Sequence, residues 1–153
     1  MNFLRKLLGR SGDRTSPDQE PWLTGEKLYE GFPLLLRRPA SVDYASLPPK
    51  LLIITHHLEK TKPNGLPEPD YNDTLADFDL ELVRYLPAKQ AGRIVLVETF
   101  GHKRHYYAYG GAAASAEEIR RHFESRFPGF RIESSERADP EAGFIRKYAA
   151  DHF

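Results

Sequence analysis

The segment His102-Lys103-Arg104-His105-Tyr106-Tyr107-Ala108-Tyr109 gathers most of the side chains in this chain that could do chemistry at a surface. Cationic heads beside phenol rings suit anionic or aromatic partners, and Tyr and Arg are enriched at the centres of interfaces. His102, Lys103, Arg104, His105, Tyr107 and Tyr109 therefore form the candidate interaction surface. Aromatic strands also serve RNA-recognition sheets, where they stack bases. That pattern needs Gly after the first basic residue and an aromatic at the fifth position. Here those positions hold His105 and Ala108. The RNA reading is the weakest of the three that follow.

Other reactive types are scattered. His56 and His57 are neighbours on a strand-like run, so they point to opposite faces and cannot easily share a metal. A site joining His57, His105 and carboxylates is conceivable, but no His-Glu-x-x-His or comparable spacing occurs. Ser41, Ser46, Ser115, Ser134 and Ser135 lie in loops, a helix cap or an edge strand, outside any Gly-x-Ser-x-Gly elbow. Gly110-Gly111 precedes a helix start without a Gly-x-Gly-x-x-Gly pattern or a following Lys, so it reads as turn geometry. Asp70, Asp73, Asp77 and Glu81 read as a solvated helix face. No catalytic set emerges, and no metal or cofactor is called for.

The 153 residues carry 22 basic and 22 acidic side chains, for a formal net charge of +0. Nucleic-acid domains draw affinity from phosphate contacts and are usually basic, so neutrality counts against that partner. With no cysteine, disulfides, thiol catalysis and thiolate metal sites are excluded, and a reducing, cytoplasmic setting fits. Residues 1–21 read as a basic amphipathic turn and a linker. Phe3, Leu4, Leu7 and Leu8 could touch a membrane surface as a short helix, or the segment could be a frayed terminal turn. The interleaved Arg5 and Lys6 break any signal-peptide core, and no run reaches the length of a membrane span.

The elements that must position the hairpin follow from hydrophobic period and punctuation. Trp22 plugs the core edge. Residues 27–38, interrupted by Gly31 and Pro33, read as one edge strand or a strand containing a bulge. Prolines make 39–50 and 60–69 loops around the buried strand 51–58. Leu75, Phe78, Leu82, Val83 and Leu86 stripe a helix over about residues 70–86, stopped by Pro87. A hairpin spans 92–99 and 103–109, with His105, Tyr107 and Tyr109 on one face and Arg104, Tyr106 and Ala108 on the other. Ser115-Ala-Glu-Glu118 spells a capping box before a helix carrying Ile119, Phe123 and Phe127. A strand at 130–136 and a helix at 141–150, capped by Asp139, complete the chain. The class is α+β: a ferredoxin-like split β-α-β-β-α-β antiparallel sheet with an extra N-terminal edge strand and a C-terminal helix, in one domain over 22–153.

The string Asn64-Gly65-Leu66-Pro67, the helix with Leu75, Phe78 and Leu82, Thr99-x-Gly101 followed by Tyr106 and Tyr109, and Asp139-Pro140 before an aromatic-bearing helix together resemble the bacterial family called domain of unknown function 695. The resemblance spans residues from about 22 to the C-terminus and implies no established activity. At the level of fold alone it brings an analogy with the regulator of ribonuclease E activity B, which acts by binding its enzyme. The expected function is a non-enzymatic regulatory or protein-interaction module. The alternative is a small-molecule binder or enzyme with a pocket between the sheet and the 39–50 and 60–70 loops.

Overall fold

The structure, a computed structural model, describes the backbone of residues 3–7 and residues 20–153 in full. Seven strands form one sheet: β1 (Phe3–Leu7), β2 (Trp22–Tyr29), β3 (Phe32–Pro39), β4 (Lys50–His57), β5 (Gly92–Phe100), β6 (Lys103–Gly110) and β7 (Arg131–Ala138). Their order is β1-β2-β3-β5-β6-β4-β7, with every neighbouring pair antiparallel. The helices are α1 (Pro69–Asp73), α2 (Ala76–Ala88), α3 (Ala116–Arg126) and α4 (Gly143–His152). From β4 to β7 the path is the expected split β-α-β-β-α-β, and the strands before it extend the sheet beyond β5.

Two expectations at the N-terminal side change. Residues 27–38 are not one edge strand but parts of the hairpin β2–β3, in register from Trp22↔Pro39 to Tyr29↔Phe32. The signal lay in Glu30-Gly31, whose φ angles of 53° and 84° make the tight turn that hairpins favour. Phe3–Leu7 is a strand paired with β2, not a helix or a frayed turn. The linker reading of the residues between them falls mostly outside the described residues.

Two cores flank the sheet. On one face α2 and α3 cover Leu52, Ile54, Val97, Tyr106 and Ala108, with Phe78 fully enclosed among Tyr106, Phe123, Phe127 and Phe130. A buried aromatic of this size stabilises by roughly 2–3 kcal/mol. On the other face α4 seals Leu34, Leu36, Leu51, Leu96 and Tyr109. A bulge between Ile94 and Leu96 in β5 turns Val95 and Leu96 together toward α4, while Ile94 and Val97 stay under α2.

The local chemistry of the helix ends is mixed. Ser115 Oγ accepts from the Glu118 amide at 3.2 Å as the capping box requires, but Glu136 Oε1, not Glu118, serves the neighbouring end, accepting from the Ala116 amide. Pro87 lies inside the last turn of α2, which ends two residues later than the sequence implies. Asp139 caps α4 from outside its expected place: Ala142 is the N-cap, at φ 55°, and the Asp139 carboxylate accepts from the Gly143 and Phe144 amides. At the start of β5, Gly92 holds φ 148°, and a Cβ there would stand 2.0 Å from the Tyr109 carbonyl oxygen.

Candidate functional site

The β5–β6 turn and strand β6 distribute the six candidate residues between two faces and the turn. His102 and Lys103 are exposed at the turn. His102 takes a left-handed backbone, φ 70°, and works as a clasp: its amide donates to Gly65 O, its carbonyl accepts from the Leu58 amide, and its Nδ1 lies 2.6 Å from Thr61 Oγ1. His105 is half-buried, 2.8 Å from Thr55 Oγ1, and burial lowers its pKa.

The tyrosines belong to the core. Tyr109 is fully buried, donating to Asp139 Oδ2 at 2.6 Å and accepting from the Ile145 amide. Tyr107 stacks on Phe144 at 4.6 Å. The helix α4 therefore occupies the face that a base-stacking or docking surface would need. Arg104 turns the opposite way, toward α2, and is only 9% exposed. The six residues do not make one surface, and only His102 and Lys103 remain outward at the turn.

What the sheet does build is a cleft of about 400 Å³ where β2, β3, β5 and β6 run out from under α2. Its apolar wall includes Leu35, Leu75 and Val97. Its polar wall holds two arginines in different states. Arg37 forms a two-pronged pair with Asp79, Nη1 to Oδ2 at 2.9 Å and Nη2 to Oδ1 at 2.5 Å, and Tyr106 donates to the same Oδ1 at 2.7 Å. Burial alone would lower the Arg37 pKa, but the Asp79 charge outweighs it and holds the guanidinium above its usual value. Burial would likewise raise Asp79, yet Arg37 and Tyr106 keep it below the usual carboxylate range. Arg104 instead gives Nε to Thr99 Oγ1 at 2.9 Å and Nη2 to Asn72 Oδ1 at 3.0 Å, both neutral oxygens. Asp73 stands exposed on the rim.

Sequence reasoning missed this cleft because its parts come from β2, β3, the α1–α2 break, β5 and β6. One signal was available: period-two alternation already put Arg104 on the same face as Tyr106 and Ala108. Pockets also form at both of the loops named above. One of about 510 Å³ lies between the 60–70 loop and the ring of Phe130, with His56 at its floor. Another of about 270 Å³ lies against Asp43, Ser46 and Leu47.

His57 and His105 both flank Glu133 on the α4 side, with His57 Nε2 3.0 Å from its carboxylate. Among the described residues, no group of three or more His, Asp or Glu side chains is arranged to hold a metal ion. Nor is any described helix long and apolar enough to cross a membrane. Comparison with protein-family models, curated proteins and solved structures found no significant match for this chain.

Proposed function

We propose that this domain is a binding module whose site is the cleft between the start of α2 and strands β2, β3, β5 and β6. The observation that carries the reading is the convergence of Arg104, Asn72 and Thr99 on a space of about 400 Å³ with an apolar wall opposite. Ligand sites are concave, largely apolar and fixed by a few placed polar groups. The site proposed here differs from the pocket expected between the sheet and the 39–50 and 60–70 loops. The domain is read as cytoplasmic and bacterial. Its likeness to the family of unknown function 695 belongs to the same proposal, supported by the meeting of the motifs in space. Gly65 packs on Gly101, and Tyr109 bonds Asp139. Those motif residues hold the fold together.

A thermal-shift screen of small molecules tests the reading, since a ligand that binds only the folded chain raises Tm by mass action. The screen pairs the wild type with Ala76→Trp, at an exposed position on the cleft wall. At least one compound class should raise the Tm of the wild type and not of the variant. Equal shifts in both proteins, or none in the wild type, would show that the cleft is not the binding site.

A second reading, a regulatory module that binds a protein, is favoured by the tip of the β2–β3 hairpin. Leu28 is 71% and Phe32 52% exposed there, an unusual outlay of large apolar surface on adjacent strands.

A further inference from the structure

We infer that the cleft takes a small oxyanion-bearing ligand, with its carboxylate or phosphate group seated on the free edge of the Arg104 guanidinium. This rests on the cleft being the binding site and names the chemistry of what fills it.

Arg104 is nine-tenths buried and permanently charged. Buried charges in folded proteins are paired, because desolvation is otherwise uncompensated. The carboxylate deepest in this cleft, Asp79, is bonded by both prongs of Arg37 and by the Tyr106 hydroxyl; it feels the charge of Arg104 but makes no hydrogen bond to it. The second carboxylate, Asp73, is on the exposed rim and makes no ion pair among the described residues. Arg104 itself spends two N–H groups on Thr99 and Asn72. A guanidinium has five donors in a fork that matches carboxylate and phosphate oxygens. Its remaining N–H groups have no acceptor among the described residues.

Thr99 and Asn72 do something more specific than accept these bonds. They fix the plane of the guanidinium from the Nε side and from one terminal nitrogen, so the other terminal nitrogen is held in a set direction. A group fixed this way loses little freedom when it binds a partner. The start of α2 lines the same space through Leu75 and Ala76, and no side chain caps it. The partial positive charge of a helix N-terminus adds to that of Arg104, partly offset by Asp77 and Asp79 in the first turn. Leu35, Leu75 and Val97 face this charged wall, so the ligand carries an apolar portion as well as its oxyanion.

The test is a titration of the full, isotope-labelled chain with sodium phosphate and, separately, with sodium succinate, followed through amide shifts. Saturable shifts at Asn72, Ala76, Thr99 and Arg104 are expected with at least one probe, and the tighter probe distinguishes phosphate from carboxylate. Arg104→Gln should weaken that binding at least about tenfold, the loss of a charge-assisted pair. Because a variant at a buried arginine can fail to fold, Ala76→Glu serves beside it. An acidic residue suits the first turn of a helix, and it places a negative charge at the cleft mouth. It should weaken oxyanion binding by a similar factor and leave neutral compounds unaffected. Absence of saturable shifts with either probe at millimolar concentration overturns the inference, as does undiminished binding in both variants. If a neutral or cationic compound saturates the cleft while neither oxyanion does, the cleft remains the binding site and the ligand class assigned here is wrong.

Discussion

His56 makes the domain lose stability on mild acidification by an amount that can be worked out. Its ring is 1% exposed, lies 4.8 Å from Phe130 at an interplanar angle of 6°, and stands 5.0 Å from Phe78. Its Nδ1 has no hydrogen-bond partner. Burial, reinforced by the charges of Arg104 and His57, pushes its pKa down from 6.5 to about 4. Unfolding returns the ring to its ordinary value. Between those two values the unfolded chain takes up a proton that the folded chain refuses. Stability is therefore fully present above the unfolded pKa and declines as the pH falls toward the folded one. The decline amounts to about 3 kcal/mol when complete and about 2 kcal/mol at roughly pH 5. Replacing His56 with Phe keeps the ring stacking and removes the titration.

Urea unfolding of both proteins at roughly pH 7 and roughly pH 5 gives the comparison, with the slope m checked for constancy. His105 and His152, also lowered by burial, titrate in the same direction but are present in both proteins and cancel. The wild type should lose about 2 kcal/mol more than His56→Phe over that interval. An equal loss in the two proteins would mean that His56 accepts its proton in the folded state, and the account of its burial would fall.

Two other perturbations test the frame around the cleft and the seal on the opposite face. Asp79→Ala leaves the buried Tyr106 hydroxyl without its acceptor and the half-buried Arg37 guanidinium without its carboxylate, and should cost about 2–3 kcal/mol in urea unfolding. Asp139→Ala removes an acceptor for the Gly143 and Phe144 amides and for Tyr109, at about 2 kcal/mol. Amide exchange should then show lost protection concentrated over residues 143–152. Burial would raise the pKa of Asp139, but those three bonds hold it below its usual value. Its contribution is thus present above the unfolded carboxylate value and lost as the pH falls through the folded one.

The arrangement from β4 to β7 was legible because each element announces itself locally. Leu75, Phe78, Leu82 and Leu86 repeat at helical spacing, and β6 alternates cleanly. Even the faces of β6 were readable from period two. What local pattern could not give was the cover on each face. Tyr107 and Tyr109 sit on the face that α2 and α3 leave open, and only the turn at Ala142 brings α4 across it. Arg104 illustrates the opposite failure. Its alternation pointed inward, but a guanidinium in a basic run reads as solvent-facing until Thr99 and Asn72 are seen beside it. The β2–β3 hairpin was hidden by Pro33, which lies in β3 beside the turn, paired with Leu28. Beyond the inward side of Arg104 the cleft was not legible, because a space between separated segments leaves no trace in any one of them.

The joint between β3 and β5 gives the molecule a mechanical character. Three register pairs, Leu35↔Thr99, Leu36↔Glu98 and Arg37↔Val97, hold the N-terminal strands to the rest, where β2–β3, β4–β6 and β4–β7 each have eight. Side chains from both sides of this short suture line the cleft, with Leu35 and Arg37 on one bank and Thr99 and Arg104 on the other. A molecule lodged there would bear on both banks at once. It would act as a rivet across the shortest line of pairing in the sheet, so occupancy and the cohesion of the two halves would rise and fall together.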